Sequence, residues 1–347
     1  MNSIETDDLE LITQKYAIPW IALKDKTVLI TGASGFLASY MIKTLLYLNK
    51  KIFLNVSIIA VCRNRERFQK TFDTNTIGAA VEFIEQDICQ PINIIREVDF
   101  IVHAASQASP KYYETDPVGT LSANTIATMH LLEFAKSKKV KGFLYFSSCE
   151  IYGEVKNIPT SEVDYGYLDP MSVRSCYAES KRMGENMCVA WNRQYNVPTK
   201  IVRPFHTYGP GMKLDDGRVY ADFVASAVNG NDIEIKSNGL ARRSFCYLAD
   251  AVAAFWIILL KGENAQAYNV GNPEGEISIR DLATLVAGLD SEKRINVIFK
   301  QRDNFDFYTE SPVSITCPDI SKIKTLGWKP LTTLSDGFSK TIESYKL

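Results

Sequence analysis

The 347-residue chain has no apolar run approaching the roughly 18 residues a membrane span needs, since Ala251 to Leu260 is too short. It has only three histidines, widely spaced, so a zinc site is not expected. Seven cysteines (62, 89, 149, 176, 188, 246 and 317) are scattered, odd in number and without a CxxC pair. That usage suits reduced thiols in a cytoplasmic protein and argues against a disulfide framework. Charge of one sign is also missing: 39 basic and 40 acidic side chains leave a net −1. Such a balance provides no field for nucleic acid or an anionic membrane. Met1 to Glu10 is acidic and does not read as a secretory signal. The 46% hydrophobic content is ample for a core without staples.

What is present is a regular alternation. Residues 1–25 read as an N-terminal extension with a short helix before Pro19-Trp20. TVLIT at 27–31, SIIAVC at 57–62, VEFIE at 81–85, FIVH at 100–103 and GFLYFS at 142–147 are short apolar strands, separated by helix-length segments. Phe36 to Leu48 carries helical spacing of apolar residues. Strands apolar throughout and alternating with helices predict an α/β, Rossmann-like, doubly wound parallel sheet covered on both faces. The rhythm breaks after Val202, where Pro and Gly cluster at 204–217. We therefore expect a dinucleotide-binding domain over 26–205, its sheet completed by parts of 240–272. Residues 206–347 would form mainly a smaller substrate-binding part.

TGASGFLA at 31–38 joins the first strand to the first helix. Gly32 permits a tight turn, Gly35 lets backbone amides approach a pyrophosphate, and Ala38 is small enough for helix to pack on strand. The helix N-terminus then favours the phosphates. Ser34, Phe36 and Leu37 complete the cofactor turn. At the end of the second strand, where a carboxylate would hydrogen-bond the NAD ribose, the chain has Cys62, Arg63, Asn64 and Arg65. Arg63 suits a 2′-phosphate, so the expected cofactor is NADP or NAD, with a lean to NADP. Asp87 and Ile88 are expected beside the adenine, and Ala104, Ala105 and Ser106 close to the cofactor.

YAESK at 177–181 sets Tyr177 and Lys181 on one helix face. A phenol is a poor base at neutral pH, and a nearby ammonium favours its phenolate. It can then accept the proton of a secondary alcohol as hydride leaves for nicotinamide. Ser147-Ser148-Cys149-Glu150 follows an apolar strand, and Ser148 is placed to hold the same oxygen. Oxidation of an alcohol to a ketone acidifies the proton on the neighbouring carbon, so any elimination from that ketone needs a proton handler beside it, and Glu150 is the candidate.

In combination, TGASGF, VHAAS at 102–106, SSCEIYG at 147–153, YAESK and RPFHTYGPG at 203–211 are specific. From about Lys26 to Pro330 the chain resembles the extended short-chain dehydrogenase/reductase family, the epimerase/dehydratases of nucleotide sugars. Within it the chain is most similar to UDP-glucuronate decarboxylases, on ASPKYY at 108–113, DPVGT at 116–120, VRSCYAESKR at 173–182, DDGRV at 215–219 and RRSFCYLAD at 242–250. The resemblance implies roles for Ser148, Glu150, Tyr177 and Lys181 in catalysis, and for Pro204 at the cofactor. It implies a nucleotide-diphosphate sugar held by Ser109, Lys111, Tyr112, His206, Arg218, Val219 and Arg243, and a homodimer formed by packed helices. The chain departs from the decarboxylase pattern at His206 and Gly211, where Asn and Arg are expected. It departs again within SPVSITCPD at 311–319, where Ile315, Thr316 and Cys317 stand in place of basic residues. Cys149 stands where one group of dehydratases has an aspartic acid. Decarboxylation is the first expectation; 4,6-dehydration, 4-epimerisation and NADPH-dependent 4-ketoreduction remain open, as does a dinucleotide-sensing scaffold without turnover.

Overall fold

The computed structural model describes residues 2–72, 77–289, 295–300 and 313–346. The β-branched and aliphatic runs of the first half pair as parallel strands: β1 (Thr27–Thr31), β2 (Ser57–Cys62), β3 (Val81–Glu85), β4 (Phe100–His103) and β5 (Gly142–Phe146). With β6 (Thr199–Pro204) and β10 (Gln266–Val270) they make a seven-stranded sheet in the order β10-β6-β5-β4-β1-β2-β3. The chain winds outward from β1 through β2 and β3, then returns to lay β4 along the other side of β1. Strand order reverses there, and the crevice beyond the carboxyl ends of β1 and β4 is where such sheets bind ligands.

Helices cover both faces. α1 (Ser3–Gln14), α2 (Phe36–Ile52) and α3 (Arg65–Thr71) precede the crossover. α4 (Lys111–Thr115), α5 (Pro117–Asn124), α6 (Ile126–Lys138) and α7 (Cys176–Tyr195) follow it, and α8 (Val219–Asn229) begins the second part. α9 (Leu248–Lys261) is apolar on every side and nearly all of it is buried. A helix without a polar face must be enclosed; α9 lies between the main sheet and α1. The N-terminal extension is thus part of the core: Leu9 and Ile12 of α1 are fully buried, and so is Asp8.

The second half departs from a simple return to the sheet. β10 completes it, but β9 (Arg242–Tyr247) does not join it. β9 pairs with β7 (His206–Tyr208) and β13 (Ile315–Thr316) in parallel, and with β11 (Glu276–Ser278) antiparallel. The edge of β6 that β9 would need is already occupied by β10. β8 (Ile233–Ile235) and β12 (Val297–Phe299) form a separate parallel pair beside α8 and α10 (Ile279–Gly288). α11 (Ser321–Lys324) and α12 (Leu334–Glu343) end the described chain.

Candidate active site

One cavity of about 1250 Å³ runs from the α2 N-terminus to the β8 region. At its sheet end, Gly32 holds φ +66° and faces the Ala104-Ala105 backbone so closely that a Cβ would sit 2.8 Å from Ala105 Cα. Only glycine meets both demands at low cost. Gly35 precedes α2 in extended conformation with no side-chain cap, and a Cβ there would come within 2.9 Å of Gly32 O. The first amides of α2 therefore lack an internal acceptor, as an anion site requires. Ser34 is half-buried in this turn. Gly35, Phe36, Leu37, Ala104 and Ser106 line the cavity, and Ser106 Oγ is buried without a hydrogen-bond partner among the described residues. These features fit a dinucleotide pyrophosphate.

Past β2, Arg63 and Arg67 line the same end. Asn64 caps α3, its Oδ1 accepting from Arg67 N at 2.7 Å. Asp87 accepts from Cys89 N at 2.9 Å, and Ile88 is buried in the hydrophobic cluster under the sheet edge. Pro204 lines the cavity opposite.

The candidate catalytic residues meet in the middle. Ser148 lies two residues past β5 and caps a short turn, its Oγ accepting from Glu150 N at 3.2 Å. Tyr177 opens α7 and stacks on Tyr113, ring centroids 5.0 Å apart at 16°. Burial raises the Tyr177 phenol, Ser148 bonds to it and pulls it back, and the Glu150 charge raises it further. Lys181 lies one turn on, 2% exposed, with Nζ donating to Phe146 O at 2.5 Å and standing 5.7 Å from the Tyr177 ring centroid. Burial lowers this ammonium to about 7. The lysine is thus in contact with the phenol's ring while bound to β5. Glu150 pairs with Arg174, Oε2 to Nη1 at 3.2 Å. Cys149 is pushed up to about 12, first by burial, so its thiol stays protonated near neutrality and is a weak proton donor.

At the far end, Arg218 is anchored to Asp216 (Nε to Oδ2, 2.8 Å) and donates to the Tyr220 hydroxyl at 2.8 Å. Ser109 donates to Asp216 O at 2.6 Å, tying the loop before α4 to the same carboxylate's residue. Lys111 stands over the Tyr112 ring at 5.5 Å. His206 is lowered to about 3, first by burial and then by Arg243 and Arg218, and so is neutral; its Nδ1 is buried without a partner among the described residues. Arg243 reaches the segment just before β13, donating to Val313 O at 2.8 Å and Ser314 O at 3.0 Å. Ser109, Lys111, Tyr112, His206, Arg218, Val219 and Arg243 all line the cavity. Of the 311–319 segment, Ser311 and Pro312 fall outside the described residues; Ile315 and Thr316 present β13 to the cavity.

Three participants were not singled out from the sequence. Tyr113, Arg174 and Asp216 sit in motifs quoted for their resemblance, but nothing in a linear reading gives Tyr113 its stack or Arg174 its carboxylate. Spacing was the available signal for Arg174, which lies three residues before Tyr177.

The chain is similar to known proteins over nearly its whole length. A UDP-glucuronic acid decarboxylase of Arabidopsis thaliana is 34% identical over 92% of this chain and 89% of its own length. A UDP-glucose 4-epimerase from Thermotoga maritima, solved with UDP-glucose, is 25% identical with TM-score 0.77, covering 92% of this chain and 98% of its own. A UDP-glucuronic acid 4-epimerase from Bacillus cereus, solved with UDP-glucuronic acid and NAD, shares the fold at 23% identity and TM-score 0.77, covering 92% and 99%. Residues 28–271 match the family model of that fold from the first strand through β10, including the glycine turn, Ser148, Tyr177 and Lys181, and on this ground the chain belongs to the NAD dependent epimerase/dehydratase family.

Proposed function

We propose that this enzyme oxidises the C4 hydroxyl of a nucleotide-linked hexuronate and promotes loss of its C6 carboxylate as carbon dioxide. The observation that carries the reading is Glu150 standing in one cavity with Ser148, Tyr177 and Lys181, close enough for its charge to act on the Tyr177 phenol. A simple C4 epimerisation has no use for that carboxylate. The similarity to UDP-glucuronic acid decarboxylases over nearly the whole chain supports the same choice. The α2 N-terminus, Ser106 and the Arg63 corner would hold NAD or NADP, which when bound supplies the acceptor for the hydrogen leaving C4. Family membership favours NAD.

In this reading Ser148 fixes the C4 oxygen and Tyr177 takes its proton. Lys181, held by Phe146 O and lowered to about 7, brings its amine beside the phenol's ring and carries its charge there increasingly as pH falls below that value. Arg218, Arg243 and the neutral His206 bind the diphosphate end, with Ser109, Lys111, Tyr112 and Val219 shaping the entrance. Release of carbon dioxide from the resulting β-keto acid leaves an enolate, and Glu150 manages the proton that returns to C5.

One observation favours a second reading, 4,6-dehydration of a neutral hexose. β13 offers Ile315 and Thr316 to the cavity, where the resemblance expects arginines for an anionic group. Purified protein with UDP-glucuronate and NAD, followed by product mass, decides between them. Mass loss equal to carbon dioxide supports the first reading. An inert UDP-glucuronate with water lost from a UDP- or dTDP-hexose replaces it by the second.

We also infer a homodimer. Val118 and Leu121 on α5, Ile126 and Met129 on α6, and Met183 and Val189 on α7 are all exposed, 39% to 69%. These helices pack on one another, so their outer apolar side chains suit a two-fold related copy of the same face.

A further inference from the structure

The Glu150–Arg174 contact links the two chain segments that carry the reaction. Glu150 lies two residues after Ser148, on the turn leaving β5, and Arg174 lies three residues before Tyr177, on the turn entering α7. Their single bond of 3.2 Å therefore ties the segment holding the sugar oxygen to the segment holding the phenol. Both side chains line the cavity, and neither is free to wander: Glu150 is 34% exposed and Arg174 only 17%. Arg174 also stands 6.0 Å over the Tyr113 ring, which stacks on Tyr177 and is anchored by its own hydroxyl to Ala108 O at 3.1 Å. The guanidinium is thus braced from below by an aromatic pair whose other member is the base.

A carboxylate on a three-bond stem at a cavity wall has several rotamers, and only some of them reach a carbon next to C4. Of the other cavity-lining cations, Arg218 binds Asp216, Arg243 binds the backbone at Val313 and Ser314, and Lys181 binds Phe146 O. Arg174 holds one oxygen of the Glu150 carboxylate and so limits the directions it can take.

We propose that Arg174 is a positioning residue for proton transfer at C5. It aims the Glu150 carboxyl at C5 and is not needed for oxidation at C4. The inference rests on the role given above to Glu150. The step balances as follows: the C5–C6 bond breaks, carbon dioxide leaves, the bonding pair stays as the C4–C5 enolate, and one solvent-derived proton passes through Glu150 to C5. For a neutral hexose the same aim would serve removal of the C5 proton with loss of the C6 hydroxyl as water.

The test uses full-length enzyme carrying Arg174→Met, Arg174→Lys, Glu150→Gln and the Arg174→Met/Glu150→Gln pair. Two readouts are taken in deuterated water: near-ultraviolet absorbance of reduced nicotinamide in a single turnover, reporting C4 oxidation, and rate and stereochemistry of deuterium entry at C5 of the product. Arg174→Met should keep C4 oxidation and dinucleotide affinity within about threefold while slowing C5 labelling by about 10²-fold, the low end of a general acid–base effect. Arg174→Lys should recover part of the C5 rate. The double variant should label C5 no more slowly than Glu150→Gln alone, since coupled residues are not additive. Equal loss in both readouts, or additive effects in the pair, overturns the positioning role and leaves Arg174 a structural residue. Should Glu150→Gln itself label C5 normally, the assignment of Glu150 fails instead, whatever Arg174 does.

Discussion

Replacing Asp8 by Asn tests whether the N-terminal helix is held by a buried, protonated carboxyl. Asp8 on α1 is fully buried, and its two oxygens accept from the Tyr247 hydroxyl at 3.0 and 2.9 Å. Tyr40 donates to it at 3.4 Å, Lys340 approaches to 3.8 Å, and Asp250 adds a second negative charge nearby. Burial dominates and raises the carboxyl to about 7. A folded-state value above the unfolded value of 3.8 means the folded protein holds the proton more tightly. That contribution is complete below the unfolded value and disappears as pH rises through about 7. Each pH unit between the two values changes stability by about 1.4 kcal/mol, so from about pH 5 to about pH 8 the wild type should lose about 2.5 kcal/mol relative to Asp8→Asn. Urea titrations at fixed pH measure this difference, with Trp20 and Trp256, in edge contact at 5.8 Å beside α1, as the fluorescent reporters. A constant offset between the two proteins is expected from altered hydrogen bonding and does not bear on the reasoning. Parallel pH profiles would refute it, as would a wild type that gains on the variant with rising pH.

Three further outcomes are expected. Tyr177→Phe keeps the stack on Tyr113 and so should bind dinucleotide normally, yet lose C4 oxidation by about 10²- to 10⁴-fold in single-turnover absorbance; normal turnover would remove the phenol from the mechanism. Gly32→Ala places a Cβ 2.8 Å from Ala105 Cα at positive φ, and should weaken dinucleotide binding by about tenfold or more in calorimetry, with the rest of the sheet still folded by circular dichroism. Introducing Leu121→Asp with Met183→Asp puts charge on the exposed apolar face of α5 and α7, and light scattering coupled to gel filtration should shift the protein from dimer to monomer; an unchanged mass would place any interface elsewhere.

Strand boundaries, the glycine turn and the Tyr-Lys helix are local properties, and the sequence alone determined them. Apolar runs of five or six residues punctuated by Gly admit few arrangements, and the spacing of Tyr177 and Lys181 fixes their shared face wherever the helix lies. Tertiary structure decided what depends on neighbours distant along the chain. The sequence predicts that parts of 240–272 complete the main sheet; β10 does so, and by taking the place beside β6 it leaves β9 to a second sheet. Residues 1–25 read as an appendage, yet Asp8 and Tyr16 are bonded to Tyr247 and Asp250, more than 230 positions away. The electrostatic state of the site is equally non-local. An ammonium one turn from a phenol suggests an acidic tyrosine, but burial moves Lys181 down and Tyr177 up, because desolvation acts on each charge according to everything packed around it. Sequence names the groups and their spacing along one element; only packing fixes their solvent, their partners and hence their charge.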